Sequence, residues 1–335
     1  MLSALRGNVT DRIPISFWGH MYFRYSDVSF IEASRDPEKM VKAHLAFREK
    51  FDVDFLKMMP DGMYMAEAWG TKLKWENGNA WNLESGVKRT EDWARVQALD
   101  PARDPILVAQ LKAVGLLADK IGGEIPFIQT IFSPLTWAIK IAGVKQVMQD
   151  MRQNPSALAS GLERIAESVA GFGRECLNKG ATGFFFAMQN ASKNNLTATE
   201  FEEFSFRYDM KVLKELGASE FLMLHVCTRK GDEFYTDRIA KYPVHAINWW
   251  DKGSPLTLRK AREILGERFC LIGGLDHVET LPKGTPEEVE AEVRMAVESV
   301  GKGRRFILGP GCTLPATTPV ENLLAAIRAA STYSH

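Results

Sequence analysis

The stretch Phe221-Leu-Met-Leu-His225-Val-Cys227 decides how this chain is read, together with a later one, Phe306-Ile-Leu-Gly-Pro-Gly-Cys312. Each is a short apolar run ending in polar or sulfur-bearing side chains, the pattern of a strand buried on both faces. Residues two apart on a strand point to the same side, so His225 and Cys227 share a face and can hold one ion. In a ring of parallel strands, Cys312 lies close enough across the mouth to join them. Three such ligands look like a zinc site, and a fourth, exchangeable position would make it catalytic rather than structural. Packing is the alternative: free cysteine often behaves as a small buried hydrophobe, which is how Cys176 and Cys270 read.

Working outward, the same kind of run recurs at 13–19, 55–59, 126–132, 181–188, 244–250 and 269–275, making eight in all. Most are separated by stretches of helical spacing. Eight parallel strands alternating with helices predict an α/β fold, a (β/α)8 TIM barrel, as a single domain over residues 1–335. Val289, Val293, Ala296, Val297 and Val300 form one apolar helical stripe, opened by the capping box Thr285-Pro-Glu-Glu288. Thr318-Pro-Val-Glu321 predicts the same opening for the last helix. The stretch 76–123 fits the alternation less well and reads as an excursion after the second strand, with one helix beginning near Pro105.

Composition narrows the partners. Lys plus Arg and Asp plus Glu number 42 each, so the formal net charge is zero, and no block of like charge suggests nucleic acid or an anionic membrane. No apolar run approaches the roughly 18 residues of a membrane span. The N-terminus lacks a signal-peptide pattern, and a cytoplasmic location is expected. Four cysteines are too few for a disulfide framework, which leaves metal binding or catalysis for any functional pair.

If the barrel holds, residues after each strand converge on one face. They include Trp18 and His20, then Asp61, then Gln189 and Asn190, then His225 and Cys227, then Asp251, Asp276 with His277, and Cys312. Asp61 reads equally as a helix cap or a substrate contact, and Asp251 and His277 read equally as a cap and a loop residue. Arg24 and His20 sit in an aromatic stretch that could be packing. Gly273, Gly274, Gly309 and Gly311 suit either a phosphate or the room a bulky ligand needs.

At these residues the chain resembles the uroporphyrinogen decarboxylase superfamily, and within it the zinc-dependent corrinoid methyltransferase branch. His225-Val-Cys227, Gly309-Pro-Gly-Cys312, Thr318-Pro-Val-Glu-Asn322, and Ile272-Gly-Gly-Leu-Asp276 with Gly284-Thr-Pro-Glu-Glu-Val289 carry the resemblance, which runs from about Arg12 to Ala330. It implies Zn2+ on His225, Cys227 and Cys312, and methyl transfer between a corrinoid, delivered on a partner protein, and a zinc-activated thiol or similar acceptor. Asp61, Asp276 or His277 would handle the proton. Trp18, His20, Arg24, Gln189 and Asn190 would contact substrate. A homodimer is a common arrangement in such barrels.

The metal-free decarboxylase branch is the alternative. Asp54 and Asp61 keep its spacing of two aspartates on the second strand. Its arginine-bearing N-terminal segment is reduced here to Trp18, Arg24 and Tyr25, and the histidine of its Gly-His-Gly turn is replaced in Gly309-Pro-Gly311. A non-catalytic barrel with zinc as a structural clip is a third reading.

Overall fold

Seven of the eight apolar runs become parallel strands, each hydrogen-bonded to the one before it in the chain. The computed structural model describes residues 1–76, 78–301 and 305–333. Strand β1 is Leu56–Lys57; β2 (Lys72–Glu76) and β3 (Asn79–Glu84) form a separate antiparallel hairpin. The main sheet continues with β4 (Phe127–Phe132), β5 (Gly183–Met188), β6 (Phe221–Val226), β7 (Ala246–Trp249), β8 (Cys270–Leu275) and β9 (Phe306–Pro310), in the order β1-β4-β5-β6-β7-β8-β9. Every residue of these seven strands is buried. That is why the runs are continuously apolar: helices cover one face, and opposite strands fill the other.

The run 13–19 departs from expectation. It forms no regular strand and makes isolated parallel bridges to β9, Ile15 with Leu308 and Gly19 with Leu314. Pro14 has no N–H to give, although its carbonyl accepts from Leu308 at 2.8 Å. Towards β1, side chains stand in for part of the ladder. The Ile15 N–H donates to the Asp54 carboxylate at 2.8 Å, and the Ser16 hydroxyl donates to the Phe55 carbonyl at 2.6 Å. One backbone bond joins them, Asp54 N–H to the Ile15 carbonyl at 2.9 Å. The result is a curled sheet of seven strands with this segment lying between its two edges.

The helices obey local rules closely. Asp104 caps Pro105–Ile121 by accepting from Ile106 and Leu107. Thr285 and Glu288 form the expected reciprocal box on Pro286–Val300, whose Val289, Val293, Ala296 and Val300 are buried. The last helix differs, since it begins at Val320 and the Thr318 hydroxyl donates to the Pro315 carbonyl instead of capping it. Within the stretch expected as an excursion, the helix Pro105–Ile121 packs against Pro37–Lys50 in the outer layer, while the hairpin β2–β3 leans over the mouth of the sheet.

Candidate functional site

Strands β6 and β9 end on the same side, and their terminal residues meet. The ligand atoms of His225, Cys227 and Cys312 all lie within 4.8 Å of one another, with the Cys312 sulfur 3.6 Å from His225 Nε2. Tetrahedral zinc, with bonds of about 2.0–2.3 Å, holds its donors roughly 3.5 Å apart, so small side-chain rotations suffice.

A third strand orients the histidine. Asn248 on β7 is directly in register with His225. Its amide nitrogen donates to the Ile272 and Pro310 carbonyls, at 2.9 and 3.1 Å, which turns its oxygen towards His225 Nδ1 at 2.6 Å. An oxygen there accepts, so Nδ1 carries the proton and Nε2 keeps a lone pair aimed at Cys312. This is the outer support that metal-ligating histidines require. The thiols share a proton: its hydrogen bond to Cys312 and its burial raise Cys227, while the same bond, aided by His225, holds Cys312 low.

These three residues line a cavity of about 380 Å³ under the hairpin, with Asn79, Ala80 and Trp81 on its rim. Among the other expected residues, His20 and Gln189 line it too. His20 stacks on Phe30 at 4.5 Å, and burial lowers its pKa. Trp18 is absent from the lining and lies edge-on to Phe185 at 5.8 Å, its buried indole N–H without a partner among the described residues. Asn190 takes a left-handed turn (φ 58°) just beyond β5. Arg24 lies outside the lining, donating to the carbonyls of Ala316 and Thr318.

The acidic candidates are engaged in turns. Asp61 is buried and accepts from the Met63 N–H at 2.9 Å, and burial pushes its pKa up to about 6. Asp276 accepts from the N–H groups of Val278 and Glu279 and from the Trp250 indole. Asp251 accepts from the Gly274 N–H. His277 rests edge-on against Trp250 at 5.1 Å, its Nδ1 buried and unpartnered among the described residues. The glycines serve the chain itself: a Cβ on Gly309 would lie 3.0 Å from the Trp18 ring, and one on Gly311 would lie 2.8 Å from Trp250.

Two cavity residues escape a motif-based reading. Lys57 on β1 is 3% exposed, and Lys140 extends into the cavity from the helix Pro134–Ala142. The available signal was a lone charge inside an otherwise apolar run. A lone polar residue in an apolar run likewise marks Asn248 within Ala246–Trp249.

The chain is similar to several known proteins over nearly its whole length. Methylcobamide:CoM methyltransferase MtaA of Methanosarcina barkeri is 24% identical over 339 residues, covering 99% of this chain and 97% of that protein. Uroporphyrinogen decarboxylase of Methylococcus capsulatus is 26% identical over 318 residues, covering 91% and 87%. A methyltransferase from Methanosarcina mazei has the same fold, with a TM-score of 0.82 at 21% identity over 99% of this chain and 97% of that one. The uroporphyrinogen decarboxylase (URO-D) family profile matches residues 1–333, and the chain belongs to that family.

Proposed function

We propose that this protein is a zinc-dependent methyltransferase that moves a methyl group between a corrinoid and a thiol or similar acceptor. The convergence of His225, Cys227 and Cys312 on the cavity floor carries the reading. Those three side chains would hold the metal, leaving its remaining side towards the cavity. Zinc bound there would let an incoming thiol exist as thiolate at neutral pH. The chain does the rest. Asn248 fixes the ring of His225, the hairpin and aromatic walls limit water, and His277, kept neutral by burial, takes the proton that the thiol releases. Asp61 and Asp276 act by holding the turns that shape the rim. The methyltransferase relatives are named for a methylcobamide, which supports a corrinoid as one methyl carrier; a partner protein would present it at the cavity mouth. The curled sheet supports a (β/α)8 barrel in which residues 13–19 serve as the eighth stave.

The test is metal analysis followed by turnover. Purified protein should contain about one zinc per chain and transfer methyl from methylcobalamin to a thiol, and Cys312→Ala should lose both. Normal turnover in a metal-free variant would overturn the mechanism. For a decarboxylase the cavity is poorly equipped. A porphyrinogen with eight carboxylates would meet Lys57 and Lys140 as the cationic side chains among the described lining residues. Uroporphyrinogen consumption by zinc-free protein would establish that alternative. A closed structural zinc site needs a fourth protein donor, and among the described residues the ligand cluster contains no Asp or Glu.

No helix among the described residues is long and apolar enough to cross a membrane.

A further inference from the structure

The helix Pro286–Val300 breaks its own pattern once. Its inward stripe is Val289, Val293, Ala296 and Val300, and Glu292 is buried among them. A carboxylate is costly in an apolar stripe unless its lone pairs are taken, so its partners say what it is for. Glu292 Oε2 accepts from the Asp276 N–H at 3.0 Å, and Oε1 accepts from the Thr280 hydroxyl at 3.3 Å. Lys252 stands 3.9 Å away, while Asp251 and Asp276 oppose the charge. Burial outweighs the rest and pushes its pKa up to about 7.

Those two donors bracket the turn that carries His277. Asp276 opens it at the end of β8, and Thr280 begins the short helix Thr280–Lys283. Inside the turn, Asp276 Oδ1 accepts from the N–H groups of Val278 and Glu279, at 2.8 and 3.3 Å. The same oxygen takes the Trp250 indole N–H at 3.3 Å, and His277 rests edge-on against that indole. The indole is itself wedged in place. A Cβ on Gly253 would lie 2.3 Å from its ring, and one on Gly311 would lie 3.0 Å from the ring and 3.2 Å from His277 Nδ1. That nitrogen has no hydrogen bond among the described residues, so the place of the imidazole depends on the turn and the indole.

We infer that Glu292 is a positioning residue for proton transfer: from a helix packed on β8 it clamps both ends of the Asp276–Thr280 turn, and so sets where His277 stands beside Gly311 and Cys312. Glu292 is absent from the cavity lining and acts through His277. The inference rests on the proton role given to His277 above. A clamp of this kind needs hydrogen bonds and no net charge. Glutamine can supply them, since its oxygen accepts from Asp276 and the Thr280 hydroxyl can turn to accept from its amide; methionine cannot.

Methyl transfer from methylcobalamin to 2-mercaptoethanol by the zinc-loaded protein tests it, with zinc content and histidine-ring NMR as separate readouts. Glu292→Met should lower kcat roughly 10–100-fold, with the thiol KM within about twofold and zinc content unmoved. Glu292→Gln should keep most of the turnover. In a His277→Asn background, Glu292→Met should cost nothing more, because the group it acts through is already gone. The six histidines give few enough ring signals to follow His277, identified by its loss in His277→Asn. Its pKa, lowered by burial, should move up towards the ordinary 6.5 in Glu292→Met and stay in place in Glu292→Gln. Should Glu292→Met not fold, Thr280→Val removes one of the two donors and decides by the same readouts on a smaller scale. Additive losses in the double variant would overturn the inference. Zinc lost in step with turnover would overturn it too, because Glu292 would then serve the metal ligands. Full turnover in His277→Asn would sink the proton role alone; the clamp then rests on the ring titration, where an unmoved His277 signal in Glu292→Met overturns it and an upward shift upholds it.

Discussion

The two walls of the cavity are built on opposite principles. On the β6–β9 wall the central polar groups have partners: Asn248 satisfies His225 and two carbonyls, and the thiols answer each other and the imidazole. On the β1–β4 wall, Lys57 and Lys140 face a sulfur and two ring faces. The first wall is ordered in the way that the proposed metal site requires. The second stores electrostatic cost until a ligand arrives, as strained functional sites commonly do at the expense of stability. What the contrast teaches is that one cavity can hold a hydrogen-bonded cluster on one side and, on the other, buried charges without ion-pair partners among the described residues.

The sharpest way to break the comparison is on the ordered wall. Cys227→Ala or Cys312→Ala should lower methyl transfer by roughly a thousandfold and empty the zinc content together, read by elemental analysis beside turnover. Activity that survives metal loss would dissolve the distinction between the walls. Next in size, Asn248→Leu frees the His225 tautomer and should weaken zinc binding about 10–100-fold in a chelator competition. Unchanged affinity would show that the register of β6 with β7 is only packing.

On the cationic wall the expected effect has the opposite sign for stability. Lys57→Met should raise the unfolding free energy at pH 7 by roughly 1–3 kcal/mol in urea titrations, because it removes an uncompensated buried charge. The pH dependence follows. In the unfolded chain the lysine releases its proton near its ordinary 10.5, and in the native state near 7. Between those values the unfolded chain binds more protons, so native stability is lost as the pH falls through this window and recovered as it rises. The methionine variant should flatten that slope. A slope that persists undiminished would place its origin elsewhere.

The smallest effect belongs to the rim. Trp81 lines the cavity yet is 53% exposed, so Trp81→Ala should change the substrate KM severalfold and the stability by no more than about 0.5 kcal/mol. A larger loss of stability would mean that the hairpin is structural.

Sequence reading served the two walls unequally. His225, Cys227 and Cys312 were legible because strand alternation is a local rule, and seven apolar runs did become parallel strands in chain order. The eighth, 13–19, failed as a regular strand because Asp54 and Ser16 side chains replace part of its ladder, a substitution that hydropathy does not register. Thr318 looked like a cap and proved to be a loop tie. Lys57 and Lys140 carry no motif at all: each is a single charge in an apolar segment, indistinguishable on paper from a lysine whose head reaches water.

The amino-acid order by itself determined the family, the layered α/β plan and the three soft donors, since periodicity, caps and spacing act over a few residues at a time. The curl of the sheet decided the rest. Only it could bring a lysine from β1 and another from a helix 83 positions later to one cavity, with no carboxylate within ion-pair distance of either among the described residues. A long-range electrostatic balance depends on which distant segments share a dry space, and that becomes defined only when the core has closed around them.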